Sequence, residues 1–588
     1  MAISTEIVHT LKKSIPFRLA VGVTGHRKLP DEKAAALAVR SVLEQIREKL
    51  PAEPNTQVYF TILSPLAEGA DRLVAREVLK LEGSQLETVL PFDKDEYVKD
   101  FPHTKAEFES LLQQSKRVKQ LGGKSAREHI YTPVGRHVVD HCDVLVALWN
   151  GQPAGGEGGT AEIVQYARDM KCPLFWINTQ DPAQPVVFEN GENLPVKIVE
   201  DLNKYNSEQI DEAKIRESVE SEFKLFSEVQ NDESGTKKIL EGYATELREV
   251  YEKVLPHYVR ADLLAGKYQR KYYLAGILIY SLAAAAVAVA AIQILESIWW
   301  GIPIAEVLLM MCVLFIIRRE NRHKWHHKYI YYRSLAERFR TELFMSFGNV
   351  EVGGLSAPRR RSHSSPGDWI TAAFTSIWSE LPQFHQPDEA EFDALKKFLS
   401  RTWIQGQINY HDKKHKEHRK KNHLLMKIGT ALFVLTLLAA FLHLLGNYGH
   451  KDHAAPTPAG KVATHVETAA ASSHVAASES QAGDAHEPGV LAPMFDALHK
   501  IGIWLILIAV VAPAVGSALG AIRTHREYHR IATRHEETSR QLKTLNERIM
   551  NAENFMALLP LMRETEETML RENEDWRAVV ESREIEIP

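Results

Sequence analysis

The run Phe17–Arg27, FRLAVGVTGHR, decides the fold of the N-terminal part of the chain. A mostly apolar stretch stops at Gly25, passes through His26 and Arg27, and gives way to a helical pattern over Glu32–Leu50. That is how a strand–turn–helix unit opens. Gly22, Thr24 and Gly25 are small enough to let backbone N–H groups approach an anion, and His26 and Arg27 follow directly behind.

Outward from this run the same pattern recurs. Val58–Leu63 reads as a second strand, and Ser64–Asp71 (SPLAEGAD) leads from it into a helix over Arg72–Leu81. Leu86–Leu90 is a third strand ending at Pro91-Phe92, and Asp143–Trp149 (DVLVALW) is a fourth. A glycine-rich loop over Asn150–Gly159, a helix over Thr160–Asp169 and a strand over Pro173–Ile177 complete the series. Strands alternating with helices predict an α/β, doubly wound parallel sheet that takes ligands at the carboxyl ends of its strands.

Three loops fall at that edge. The first carries Gly22, Thr24, Gly25, His26 and Arg27. The second carries Glu68, Gly69 and Asp71, whose carboxylates suit ribose hydroxyls. The third carries Gly155, Gly156, Gly158, Gly159, Thr160 and Glu162 at the mouth of a helix, where amides and helix dipole face an anion. One such loop is explained by a turn's need for glycine; three in order along one edge point to a nucleotide-like ligand. Arg127, His129, Tyr131 and Arg136 precede the fourth strand, as phosphate or base contacts or as a solvated basic helix.

The rest of the chain is of another kind. Among 588 residues the net charge is −5 with 45% hydrophobic and 25% charged residues, an ordinary average that conceals four apolar blocks flanked by cations. Leu274–Leu295 (LAGILIYSLAAAAVAVAAIQIL) carries no charge and is long enough to cross a ~30 Å hydrocarbon core. Trp299–Ile317 contains Glu306, Leu424–Gly446 contains Lys427, and Ile501–Ile522 contains Pro513. A buried core helix is the alternative for each block, weakest for the first and last, on which no amphipathic face can be drawn. Glu306 is costly facing lipid and is either a pore-side group or a residue near a span end.

Orientation follows from the flanks. RRENRHKWHHK (Arg318–Lys328), HDKKHKEHRKKNH (His411–His423) and RTHREYHR (Arg523–Arg530) border the spans on one side. The connections on the other side hold almost no Lys or Arg. The positive-inside tendency then places both termini in the cytosol, in a multi-pass protein of the inner (cytoplasmic) membrane. Trp299, Trp300 and Trp504 fit interfacial anchors, and Met1–Pro16 has none of the parts of a signal peptide. Asn447–His499, rich in Ala, His, Ser, Thr and Pro, reads as a disordered external loop. Cys142, Cys172 and Cys312 match neither a disulfide framework nor a zinc site, and no metal is expected.

The expected organisation is a nucleotide-binding domain over 1–180, a polar helical linker over 181–255, a first two-span unit over 256–400 and a second over 401–588 with the loop 447–499. The two units rhyme: a polar helical lead-in, two spans, then a basic helix containing aromatics. YIYYRSLAERFRTELF (Tyr329–Phe344) answers REYHRIATRHEETSRQL (Arg526–Leu542), and Asp368-Trp369 answers Asp575-Trp576-Arg577.

VTGHR at Val23–Arg27, SPLAEGADRL at Ser64–Leu73 and GGEGGTAEI at Gly155–Ile163 resemble the SLOG superfamily, the Rossmann-like group of LOG phosphoribohydrolases, DprA-like proteins and TRPM sensor regions. The last stretch resembles the LOG signature PGGxGTxxE, with Glu162 in register with its final Glu; Ala154 stands for the Pro and Gly159 for the Thr. The stretch Tyr332–Arg340 and Trp576-Arg577 resemble SLATT two-span effector units.

The combined resemblance implies a ligand-gated membrane effector of bacterial defence. It would bind an NAD- or ADP-ribose-like signal without a required cofactor and assemble as a homo-oligomer in membrane lipid. Nucleic acid has only the DprA analogy behind it and is not expected as a partner, because membrane orientation already explains the basic clusters. Two alternatives stay open. One is a membrane-anchored nucleotide N-glycosidase using Glu68, Asp71 or Glu162, against which the incomplete signature counts. The other is an ion channel or transporter with a regulatory nucleotide-binding head.

Overall fold

The computed structural model describes residues 14–122, 130–153, 158–230, 243–293, 301–348, 367–382, 384–451, 494, 497–498 and 500–580. They divide into two compact units built from non-consecutive segments. The first takes the residues up to Tyr268, then His327–His411 and those from Glu537 on; the second takes Gln269–His326 and Asp412–Glu536.

The first unit holds a seven-stranded sheet. Its strands are β1 (Phe17–Gly25), β2 (Val58–Ser64), β3 (Gln85–Leu90), β4 (Ser115–Gln120), β5 (Val144–Trp149), β6 (Leu174–Asn178) and β7 (Val187–Glu189). They lie in the order β4-β3-β2-β1-β5-β6-β7, all parallel except β7, which is antiparallel to β6. Within it run α1 (Glu32–Lys49), α2 (Ala70–Leu79), α3 (Lys105–Gln113), α4 (Tyr131–His141), α5 (Thr160–Asp169), α6 (Val196–Asn206) and α7 (Glu212–Gln230). The α/β doubly wound fold expected from the strand–helix alternation is present. Residues 17–23 of β1 are buried on both faces, as a central parallel strand must be when helices cover both sides. Asp31 caps α1 by accepting the Ala34 N–H (2.9 Å).

The helical remainder comprises α8 (Ala244–Ile292), α9 (Gly301–His323), α10 (Trp325–Met345), α11 (Asp368–Trp378), α12 (Glu389–Phe398), α13 (Gly406–Lys451), α14 (Gly502–His525), α15 (Tyr528–Met550) and α16 (Phe555–Val580). Parts of α8 and α13, together with α9 and α14, are long and apolar enough to cross a membrane. Only 28%, 11%, 6% and 11% of their most apolar stretches is buried, in the order α8, α9, α13, α14. Apolar surface left open on that scale suits lipid, so these four helices could span a membrane, which fits a multi-pass membrane protein.

The two hairpins follow one plan. A single helix, α8 or α13, carries both the polar lead-in and the first span. The second span then ends at one left-handed residue before the next helix starts: Lys324 (φ 48°) between α9 and α10, and Glu527 (φ 47°) between α14 and α15. Such a residue turns the chain sharply within one position, so a span and its polar successor stay separate helices.

Division in space does not follow division along the chain. The stretch 181–255, expected as a linker, supplies β7 and α6. Asn206 of α6 bonds the Ile15 backbone (3.1 and 2.9 Å) and Thr56 (2.9 Å). Tyr205 packs against Tyr332 and Trp369 at ring-centroid distances of 5.2 and 5.3 Å. From much later in the chain, α11 lies on β1: Arg18 donates to Ser376 O (3.3 Å), Gly83 O (2.9 Å) and Glu380 (2.7 Å), while its backbone N–H reaches Ser376 Oγ (3.1 Å). Most of the predicted external loop 447–499 lies outside the described residues.

Candidate functional site

The neighbours β1 and β5 form the switch point of the sheet: the chain leaves β1 towards β2 and later resumes on the other side at β5. In open α/β sheets the crevice beyond the carboxyl ends of such a pair is where ligands bind. A cleft of about 330 Å³ opens there. Its lining includes Thr24 and Gly25 at the end of β1 and Arg27 just after it, Pro65 and Ala67 between β2 and α2, and Asp71 in the first turn of α2. Tyr97, Tyr131 of α4, and Gly158, Gly159 and Thr160 at the start of α5 complete its polar rim.

Close packing fixes the first loop. A Cβ on Gly25 would stand 2.4 Å from Ala70 Cβ and 2.8 Å from Leu148 O, so only glycine lets α2 and β5 approach the end of β1. His26 ties the same three elements together. Its N–H donates to Leu148 O (3.0 Å), its carbonyl accepts from Ala70 N–H (3.0 Å), and its Nε2 accepts from Asn150 N–H (3.1 Å). That last bond assigns the ring proton to Nδ1. His26 therefore braces the cleft and is not part of its lining, whereas Arg27 lines it with its guanidinium 5.8 Å from the Tyr131 ring centre.

The β2–α2 loop is strained and clamped. Leu66 has φ 59° and Gly69 φ 77°; left-handed backbone at a leucine costs about 1 kcal/mol or more. Leu66 is held by its N–H on Ser64 Oγ (3.0 Å) and by Arg72, whose Nε donates to Leu66 O (3.0 Å). Arg72 in turn is anchored on Thr104 O (3.2 Å) and Glu107 (3.1 Å). This clamp delivers Asp71, 5% exposed, to the cleft, where it accepts the Ala67 N–H (3.2 Å).

Burial pushes the Asp71 carboxyl up to about 7, against the opposing pull of that N–H and of the Arg27 and Arg72 charges. Near neutral pH it can thus donate or accept a hydrogen bond. Burial, with the Asp71 charge behind it, drives the Tyr97 phenol well above its usual range, so Tyr97 stays a neutral hydroxyl.

At the third loop, Gly158 (φ 73°) and Gly159 lead into α5, which no side chain caps. The glutamate expected at the sugar or the chemistry is engaged elsewhere. Glu162 accepts the Gly158 N–H (2.8 Å) and the Thr132 hydroxyl (3.5 Å), and meets Arg136 at 3.5 Å.

The remaining expected residues are placed as follows. Glu68 bonds the Thr104 hydroxyl and is outside the lining. Gly22 lies within β1, its α-carbon packed against Cys142 and Val138. Gly155 and Gly156, with Arg127 and His129, lie outside the described residues. Glu306 of α9 accepts from Gln293 Nε2 (3.1 Å) at the turn end of the first hairpin. Pro65 and Ala67 lie within the SPLAEGAD loop but were not singled out in it, and Tyr97 had no motif to announce it; only the proximity of its segment to the switch point does.

As it stands, the cleft offers a cation and an uncapped helix start for an anion, and a carboxyl and two phenols for hydroxyls or a ring. No family model matches the chain, and no curated protein matches it.

Proposed function

We propose that the chain is a membrane effector switched by a nucleotide-derived ligand, of NAD or ADP-ribose type, bound in the β1–β5 cleft. The observation that carries this reading is the convergence of Arg27, the start of α5 and Asp71 on one crevice at the switch point. A phosphate is matched by the first two and a ribose hydroxyl by the third. The resemblance of the three loop sequences to SLOG, and of Tyr332–Arg340 to SLATT, supports the same pairing of sensor and membrane unit, in bacterial defence.

Switching requires that the ligand bind one arrangement of the protein more tightly than another. The reading assigns the response to the hairpins, as altered packing within a homo-oligomer that opens the membrane.

Hydrolysis is the second reading, and Asp71 is what favours it. A carboxyl held near neutrality has the protonation state a general acid needs to release a base from a ribose.

One experiment separates the two. The full chain in detergent is titrated by calorimetry with NAD, ADP-ribose, cyclic ADP-ribose isomers, AMP and cyclic dinucleotides, and the same samples are chromatographed for products. Saturable binding without turnover, lost in Arg27→Ala, together with ligand-dependent dye leakage from liposomes, is the result expected of the effector. Release of free base would establish the enzyme instead, and no binding by folded protein would remove both.

A further inference from the structure

The second unit carries exposed charge that its own fold does not use. Where α9 leaves its apolar stretch it presents Arg318, Arg319 and Arg322 to solvent. The acid among them, Glu320, is 6% exposed and turned inward, its carboxylate accepting the His326 N–H (3.4 Å). On α13, the turns before the apolar stretch present Lys416, Arg419 and Lys420, also exposed. Glu417 beside them is occupied by Lys414 (3.0 Å). None of these six cations forms an ion pair with another described residue.

Aromatic residues mark the depth at which they sit. In the same unit Lys271 stands 5.7 Å from the Trp325 ring centre and Arg526 4.1 Å from that of Tyr273. Trp and Tyr at the junction of apolar span and polar helix occupy the headgroup layer of a bilayer. Arg318 and Arg319 follow Ile317 directly, and Lys416–Lys420 lie within about two turns of Leu424, roughly 12 Å along the helix. The α9 cluster, Arg419 and Lys420 are therefore within about a Debye length (~8–10 Å) of the headgroup plane, and Lys416 is a little beyond it.

A preference for cations on one side explains their sign. It does not explain why two clusters in one compact unit stay exposed while the acids beside them are turned inward or paired. Guanidinium and ammonium groups so placed match phosphate oxygens, Arg in a two-pronged fashion.

We propose that these clusters form a binding surface for the phosphate groups of anionic phospholipids in the leaflet they face. The surface works independently of the cleft and of any ligand bound there. Each Lys or Arg at an anionic surface contributes about 1 kcal/mol, which is about fivefold in affinity, so the three on α13 together account for roughly a hundredfold.

The test uses the full chain in a zwitterionic detergent, titrated with phosphatidylglycerol or phosphatidylcholine and followed by native mass spectrometry and thermal unfolding. Phosphatidylglycerol is expected to bind, to raise Tm and to lose both effects in high salt, while phosphatidylcholine does neither. Lys416→Gln/Arg419→Gln/Lys420→Gln should lower the phosphatidylglycerol affinity roughly a hundredfold; α9 and the start of α15 keep their charges to hold the topology. Arg319→Gln/Arg322→Gln is the second variant and should shift affinity in the same direction if the first fails to fold. Equal binding of the two lipids, or unchanged affinity in a folded variant, would overturn the proposal. So would displacement of the lipid by inorganic phosphate at equal concentration, which would make the surface a site for free anions.

Discussion

Glu162 accepts the backbone N–H of Gly158 at 2.8 Å, across the turn that opens α5. With φ at 73°, Gly158 sits in backbone that other residues enter only at a cost, and this bond, with Thr132 at 3.5 Å, anchors it to α4. Holding the turn needs an acceptor and no titratable proton. Glu162→Gln should therefore keep ligand affinity within a few-fold in calorimetry, because its amide oxygen accepts the same N–H. Glu162→Ala leaves that N–H unpaired, costs about 1–3 kcal/mol and should weaken binding tenfold or more. A glutamine variant as damaged as the alanine would return Glu162 to a role in chemistry.

Asp71 predicts a pH dependence with a definite sign. Its folded-state value near 7 lies above the ordinary 3.8, so between those values the folded protein holds more protons than the unfolded chain. The stabilisation is full below about 3.8 and is lost progressively as pH rises to 7, amounting to no more than about 4 kcal/mol. Chemical denaturation of wild type and Asp71→Asn between pH 5 and 8 isolates this group from other carboxylates. The variant should gain on wild type as pH rises, since the asparagine amide oxygen accepts the Ala67 N–H without charge. An unchanged difference across that range would mean that Asp71 is ionised throughout.

The central strands were legible because parallel strands buried on both faces must be apolar runs, and β1, β2, β5 and β6 are largely such runs; β3, QLETVL, is not, and its Gln85 and Glu87 are only half-buried. The edge strand β4, SKRVKQ, was not legible. It is held by pairing with β3, and its lysines and arginine are the kind of residues that keep an open edge from recruiting another strand. The four spans were legible from composition alone. The place of α11 was not: the stretch Asp368–Trp378 announces an apolar helix, but nothing local says that its partner is a strand residue 358 positions earlier. At the cleft, sequence located the loops but not the direction of each side chain. Glu162 in register with a signature and Glu162 bonded to its own loop read identically as letters.

Two glycines separate close packing from helix propensity. Gly25→Ala places a methyl 2.4 Å from Ala70 Cβ and should cost about 1–3 kcal/mol while opening the cleft. At Gly406, where α13 begins, a Cβ meets nothing within 4 Å and the backbone is already helical. Gly406→Ala should leave stability unchanged or raise it by up to about 1 kcal/mol. Thermal unfolding of the two variants beside wild type, with ligand binding measured on each, checks both signs.

On the proposed function, Arg18 offers a way to separate ligand binding from response. Its guanidinium reaches Ser376 O, Gly83 O and Glu380, and its backbone N–H bonds Ser376 Oγ, so one nearly buried side chain joins the first strand of the sheet to the helix that follows the first hairpin unit. It stands at the start of β1, at the opposite end of the strand from the cleft. Arg18→Met keeps the aliphatic volume and removes the charge-assisted bonds, which should lower stability by about 2–4 kcal/mol, with Glu380, partly exposed, left to water. If α11 relays the state of the sheet to the hairpins, calorimetric affinity should stay within a few-fold of wild type while ligand-dependent liposome leakage falls at least tenfold. A fragment ending at Gln180 lacks α11 altogether and leaves the face of β1 around Arg18 bare, so it should aggregate where the full chain does not. Leakage undiminished in a folded Arg18→Met protein would show that the signal leaves the head by another path, and α6, bonded to Ile15 and Thr56, is the next place to cut.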